Sequence, residues 1–151
     1  MLHVDFSDSI KLPHWWGTRK KQQVIKFDNR VFISGGKSVY MKNVKGGSMG
    51  MSFNIPELKP NKKYRLSYFV KTRNINGHRG AGSYIHFNKR GKSVALPSPS
   101  VVGTNPWHRL SFEFKTPADT GEGRPCKSIS FWMWAFDGEA WFDEIRMEEV
   151  K

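Results

Sequence analysis

Three of the six tryptophans in this chain fall within residues 131–150, FWMWAFDGEAWFDEIRMEEV, with acidic residues beside them. Indoles at such density either fill a core or form a surface on which something flat can lie. Trp132 and Trp134 are two residues apart, so on an extended strand they stand on one side, roughly 7 Å from each other. The alternate row, Ile129, Phe131 and Met133, is apolar enough to supply that strand's core face by itself. The two indoles and Phe136 are then left on the outside, where a large apolar patch marks a binding surface unless a loop or a partner domain covers it.

Catalytic chemistry is poorly served. There is no glycine-rich phosphate loop, no metal-ligand spacing of His and Cys, and no nucleophile signature around Cys126. The five histidines, at 3, 14, 78, 86 and 108, are dispersed. Acids gather near the C-terminus, but a retaining glycosidase needs two carboxyls about 5 Å apart in a cleft. By alternation Asp143 and Glu144 face opposite sides, and Glu139 has no evident partner. The chain reads as a non-enzyme.

The elements that must position these side chains are strands. Period-two alternation runs through KSVYMKN (37–43), MGMSFNI (49–55), KYRLSYFVKTR (63–73), SYIHFN (83–88), WHRLSFEFKT (107–116), SISFWMWAF (128–136) and AWFDEIRMEE (140–149). HVDF (3–6) and QQVIKFDNRVFIS (22–34) are weaker candidates. SGGK, KGGS, KPNK, NING, KRGK, GTNP and FDGE mark the turns. The expected architecture is all-β, a β-sandwich or jelly roll of two antiparallel sheets forming one domain over residues 1–151. In AWFDEIRMEE, alternation places Trp141 with Ile145 and Met147 on the buried side, together with Asp143.

With 25 Lys and Arg against 13 acids, the formal charge is +12, which attracts polyanions at long range. The densest basic runs, at 18–22, 59–63 and 88–92, sit among turn-forming residues, the setting of a solvated surface. No apolar run approaches the roughly 20 residues that span a bilayer, so membrane insertion is not expected. The N-terminus carries no signal-peptide pattern, which implies an intracellular protein or an export signal outside this chain. A single cysteine, Cys126, excludes an internal disulfide framework.

The order GGKSVYMKN, IPELKPNKKYRLSYFVKT, GTNPWHRLSFEFKTP, GEAWFDEIRMEEV resembles the carbohydrate-binding modules of the family 4, 9, 16 and 22 group, from about residue 35 to the C-terminus. The resemblance implies a galactose-binding-like jelly roll from a secreted polysaccharide-degrading enzyme, with sugar rings stacked on aromatic side chains of a concave sheet. Mapped by face parity, the platform is Trp132 and Trp134 with Tyr84 and His86 beside them. Lys71 and Arg73 supply donors to hydroxyls or carboxylates, and Trp16, next to Trp15, lines the rim. Trp107 matches a structural position. The resemblance also implies one structural calcium, with Asp143 as a ligand and Asp5 or Asp8 standing in for the usual N-terminal acid, since calcium prefers an oxygen-rich shell. The expected function is non-catalytic binding of a polysaccharide or oligosaccharide beside a parent enzyme's catalytic domain. Two alternatives stay open: a structural β-sandwich docked on that domain through Trp132 and Trp134, and a binder of polyanions, whether an acidic glycan met by Lys71, Arg73 and Arg79 or a nucleic acid.

Overall fold

The computed structural model of the protein describes residues 2–7, 14–17, 22–56, 58–77, 79–89, 92–118 and 126–151. Among these, eleven strands form two antiparallel sheets and no helix is long and apolar enough to cross a membrane. In chain order they are β1 (Leu2–Val4), β2 (His14–Gly17), β3 (Val24–Asp28), β4 (Ser38–Asn43), β5 (Ser48–Asn54), β6 (Lys63–Asn76), β7 (Gly80–Lys89), β8 (Lys92–Pro97), β9 (Gly103–Lys115), β10 (Cys126–Trp134) and β11 (Asp137–Glu149). Sheet A runs β3-β4-β11-β6-β9, with β1 added to the free part of β11, and sheet B runs β2-β5-β10-β7-β8. This is the expected sandwich, with β2 and β8 as strands that the residue pattern did not announce.

The core lies between the sheets. Sheet A contributes Leu66, Tyr68 and Val70 from β6, Ala140 and Phe142 from β11, and Val39 and Met41 from β4. Sheet B contributes Ile129, Phe131 and Met133 from β10, Met49 and Met51 from β5, and Ile85 from β7. Rings lock the layers: Phe131 meets Tyr68 edge-on at 4.9 Å and Phe142 at 5.1 Å. The T-shaped contact places one ring's positive edge against the other's negative face. The apolar row expected for β10 is therefore the core row.

For β11 the expected faces are overturned. Between Asp143 and Arg146 this strand spends one residue more than its partner β6, whose Phe69 and Ser67 are opposite. The extra residue is a β-bulge, and Glu144 takes it up with φ at +50°. Ala140 and Phe142 face the core before the bulge, Ile145 and Met147 after it. Trp141 is thus not a core residue beside Ile145. It lies on the outer face of sheet A, cross-strand from Tyr40 and Lys71, and is covered there. Side chains hold the left-handed residue in place: the Glu144 carboxylate accepts from Arg146 (2.8 Å from Nη2) and Ser34 Oγ, and pairs with His3 Nε2 at 3.1 Å.

Candidate functional site

The outer face of sheet B is built around β10. In register across β5, β10 and β7 lie the rows Asn54–Ser128–His86, Ser52–Ser130–Tyr84, Gly50–Trp132–Gly82 and Ser48–Trp134–Gly80. Trp16 of β2 pairs with Gly50 and so occupies the same row as Trp132, at the sheet edge. Trp15 and Trp16 are described by strand position alone. The sheet thus brings Trp132, Trp134, Tyr84 and His86 together on one face, and puts Trp16 in register with them.

Trp132 and Trp134 do not stand there as an exposed pair. Trp134 is 38% exposed, whereas Trp132 is only 4% exposed. The difference comes from cross-strand neighbours. Glycines on both sides of Trp132 leave room for its ring to lie down, and its Cζ2 would sit 3.2 Å from a Cβ placed on Gly82. Tyr84 then stacks on the indole, centroids 5.2 Å apart and planes 26° from parallel. The indole N–H of Trp132 is buried there and has no hydrogen-bond partner among the described residues. Trp132 is the floor of the face, and Trp134 is its open aromatic.

Hydroxyls and one imidazole supply the polarity. His86 Nε2 lies 2.8 Å from Ser130 Oγ, which is 2.5 Å from Ser52 Oγ. Burial pushes the His86 imidazole below its usual value, which keeps it neutral at physiological pH. Among the described residues of this face, from Ser48 to Asn54 on β5, Ser128 to Trp134 on β10, Gly80 to His86 on β7, and Ala95 and Pro97 on β8, the outward positions carry no Lys, Arg, Asp or Glu. Arg79, just before β7, reaches the rim, its guanidinium 5.3 Å from the Trp134 centroid.

Lys71 and Arg73 are elsewhere. Their row of β6 alternates with the core residues Val70 and Thr72, so they lie on the outer face of sheet A, across the sandwich from Trp132. Arg73 is committed there: it donates to both Glu139 oxygens, 2.5 and 2.7 Å away, and lies 5.7 Å from the Trp141 ring. Hydrogen bonding from Arg73 holds the Glu139 carboxyl below its ordinary range. Tyr40 donates to the same carboxylate at 2.6 Å, and the Trp141 indole donates to Asp28 at 2.9 Å. This opposite patch is a closed structural network.

Among the described residues, no cluster of three or more acids, histidines or cysteines comes together as a metal shell, and Asp143 and Asp5 are each engaged by protein donors. Asp143 is fully buried, and its carboxylate accepts three backbone N–H groups: Ile33 at 2.7 Å, Ser34 at 3.1 Å and Glu144 at 2.8 Å. Both oxygens are thus met by N–H donors, the opposite of the oxygen-rich shell that calcium prefers. Burial pushes the Asp143 carboxyl up, against these hydrogen bonds. Asp5 turns one oxygen to the backbone N–H and hydroxyl of its neighbour Ser7. Asp8 lies outside the described residues.

The fold is that of the jelly-roll carbohydrate-binding modules. The chain is similar to the family 22 xylan-binding domain from Paenibacillus barcinonensis Xyn10C, with 11% identity, a TM-score of 0.64, and coverage of 99% of this chain and 94% of that one. A family 16 carbohydrate-binding module is 19% identical with a TM-score of 0.63 over 85% of this chain and 87% of that one. A family 61 module solved in complex with β-1,4-galactotriose is 14% identical with a TM-score of 0.56, over 97% and 94% of the two chains. No family model matches the chain, and no curated protein does.

Proposed function

We propose that this chain is a non-catalytic carbohydrate-binding module that takes a neutral polysaccharide on the outer face of sheet B. The observation that carries the reading is the uncharged aromatic face around β10 on a protein of formal charge +12. A pyranose has an apolar C–H face and a rim of hydroxyls, so it suits aromatic surface edged by neutral donors and acceptors such as His86, Ser130 and Ser52. A polyanion would be met by several cations; of the Lys71, Arg73 and Arg79 expected to do so, the first two lie on the other sheet and Arg79 alone reaches the rim of this face. The similar folds that bind xylan or a galactotriose support the ligand class, and another similar fold is a module of the Clostridium thermocellum endo-1,4-β-D-xylanase 10B. On this reading the chain serves a secreted glycan-degrading enzyme as its accessory domain.

Affinity electrophoresis against xylan, β-1,4-galactan and an acidic polysaccharide, at low and at physiological salt, tests the proposal. Retardation by a neutral glycan that is indifferent to salt is expected. Retardation by the acidic polymer alone, collapsing as salt rises, points instead to a polyanion binder. No retardation by any polymer removes the reading.

A further inference from the structure

The outward row of β10 opens along its length. Ser130 and Trp132 are sealed, Trp134 is partly open, and Phe136, beyond the end of the strand, is 53% exposed. A sugar ring can stack only on a ring face it can reach, so the usable aromatic surface lies at the Trp134 and Phe136 end.

Phe136 is seated there. A Cβ placed on Gly77 would lie 2.4 Å from its Cδ2, and one on Gly46 would lie 3.4 Å from its Cδ1. Two turns whose glycines adopt φ of +75° and +77° therefore clasp opposite edges of the ring. The backbone is fixed as well, with Phe136 N donating to Asn76 O at 2.9 Å and Gly46 N donating to Phe136 O at 2.6 Å. The seat is kept although the residue is 53% exposed. Fixing a ring before its ligand arrives lowers the ordering cost of binding.

We propose that Trp134 and Phe136 form the stacking end of the carbohydrate face, with the polysaccharide lying along β10 and passing off the sheet over the Gly46 and Gly77 turns. The two seats are separate, Trp134 closing β10 and Phe136 lying in the bend beyond it between the Gly46 and Gly77 turns. Arg79, over Trp134, supplies donors to hydroxyls at this end. The inference rests on the carbohydrate reading above and adds Phe136, which alternation left on the outside with the two indoles but which was not among the expected sugar-binding residues.

The test is titration of xylan and β-1,4-galactan into the wild type, Phe136→Ala, Phe136→Tyr and Gly77→Ala, each checked for folding by its thermal transition. Phe136→Ala is expected to weaken binding about tenfold, the equivalent of ~1.4 kcal/mol and within the range of one aromatic stacking contact. Phe136→Tyr retains binding. Gly77→Ala keeps every atom of Phe136 but displaces the ring, and weakens binding comparably. If the wild type binds and Phe136→Ala binds within about twofold of it, the stacking role is overturned while the carbohydrate reading stands. If the wild type binds neither polymer, both fall together.

Discussion

Asp143→Asn separates a backbone clamp from a calcium ligand. In the wild type one carboxylate oxygen takes the N–H groups of Ile33 and Ser34 and the other takes that of Glu144. An asparagine has one acceptor oxygen. Turned toward Ile33 and Ser34, it leaves the Glu144 N–H facing an amide that also donates. An orphaned buried donor costs about 1–3 kcal/mol. Removing a buried charge offsets part of that, so we expect a net loss of about 1–2 kcal/mol. For a chain of this size that lowers the thermal midpoint by roughly 3–6 °C. Calorimetry with added calcium and with a chelator gives the comparison. Wild type and variant should each melt at the same temperature in both conditions. A ligand at a hundredfold excess over its dissociation constant would instead add about 2.7 kcal/mol to the wild type. A calcium-dependent rise in the wild type that Asp143→Asn abolishes would refute the clamp. Acid adds a second reading. Because burial raises the Asp143 carboxyl, the folded state holds its proton to higher pH than the unfolded chain does, and the wild type should gain on the variant as pH falls through the folded value.

Arg73→Ala should leave glycan binding unchanged in electrophoresis, since its guanidinium is spent on Glu139 on the far side of the sandwich from Trp132; loss of binding would mean the glycan sits on sheet A. Phe131→Ala, which removes the ring between Tyr68 and Phe142, should cost about 3–5 kcal/mol in denaturant unfolding, and a loss under about 1 kcal/mol would contradict the placement of the core. His86 resists protonation in the fold, so its contribution to stability is complete above the unfolded imidazole pKa of about 6.5 and declines as pH falls below it. The thermal midpoint should therefore drop more steeply between about pH 7.5 and pH 5.5 in the wild type than in His86→Gln, and parallel curves would count against a buried neutral imidazole.

Alternation decides which side of its own strand a residue takes, and where strands are regular that was enough. Ile129, Phe131 and Met133 were legible as core because β10 runs without a bulge from Ile129 to its end. The same rule failed in β11, since nothing in DEI announces that a glutamate will adopt a left-handed conformation. Nor does alternation say which sheet a strand joins, and for that reason Lys71 and Arg73 were expected beside Trp132. The exposure of Trp132 depends on Gly50, Gly82 and Tyr84, its neighbours in space and not in sequence. β8 escaped notice because Lys, Ser and Pro surround its few apolar residues, and β2 because HWWG is only four residues long.

The bulge at Glu144 means that β11 is read in two frames. Upstream of it, even-numbered residues such as Ala140 and Phe142 belong to the core; downstream, the odd-numbered Ile145 and Met147 do. Deleting one residue at the junction would merge the frames, and either Phe142 would be turned out to solvent with Trp141 turned in, or the register with β1 would slip. A substitution in this strand can be understood only with its frame stated, much as a codon can, and that single left-handed glutamate is the punctuation between them.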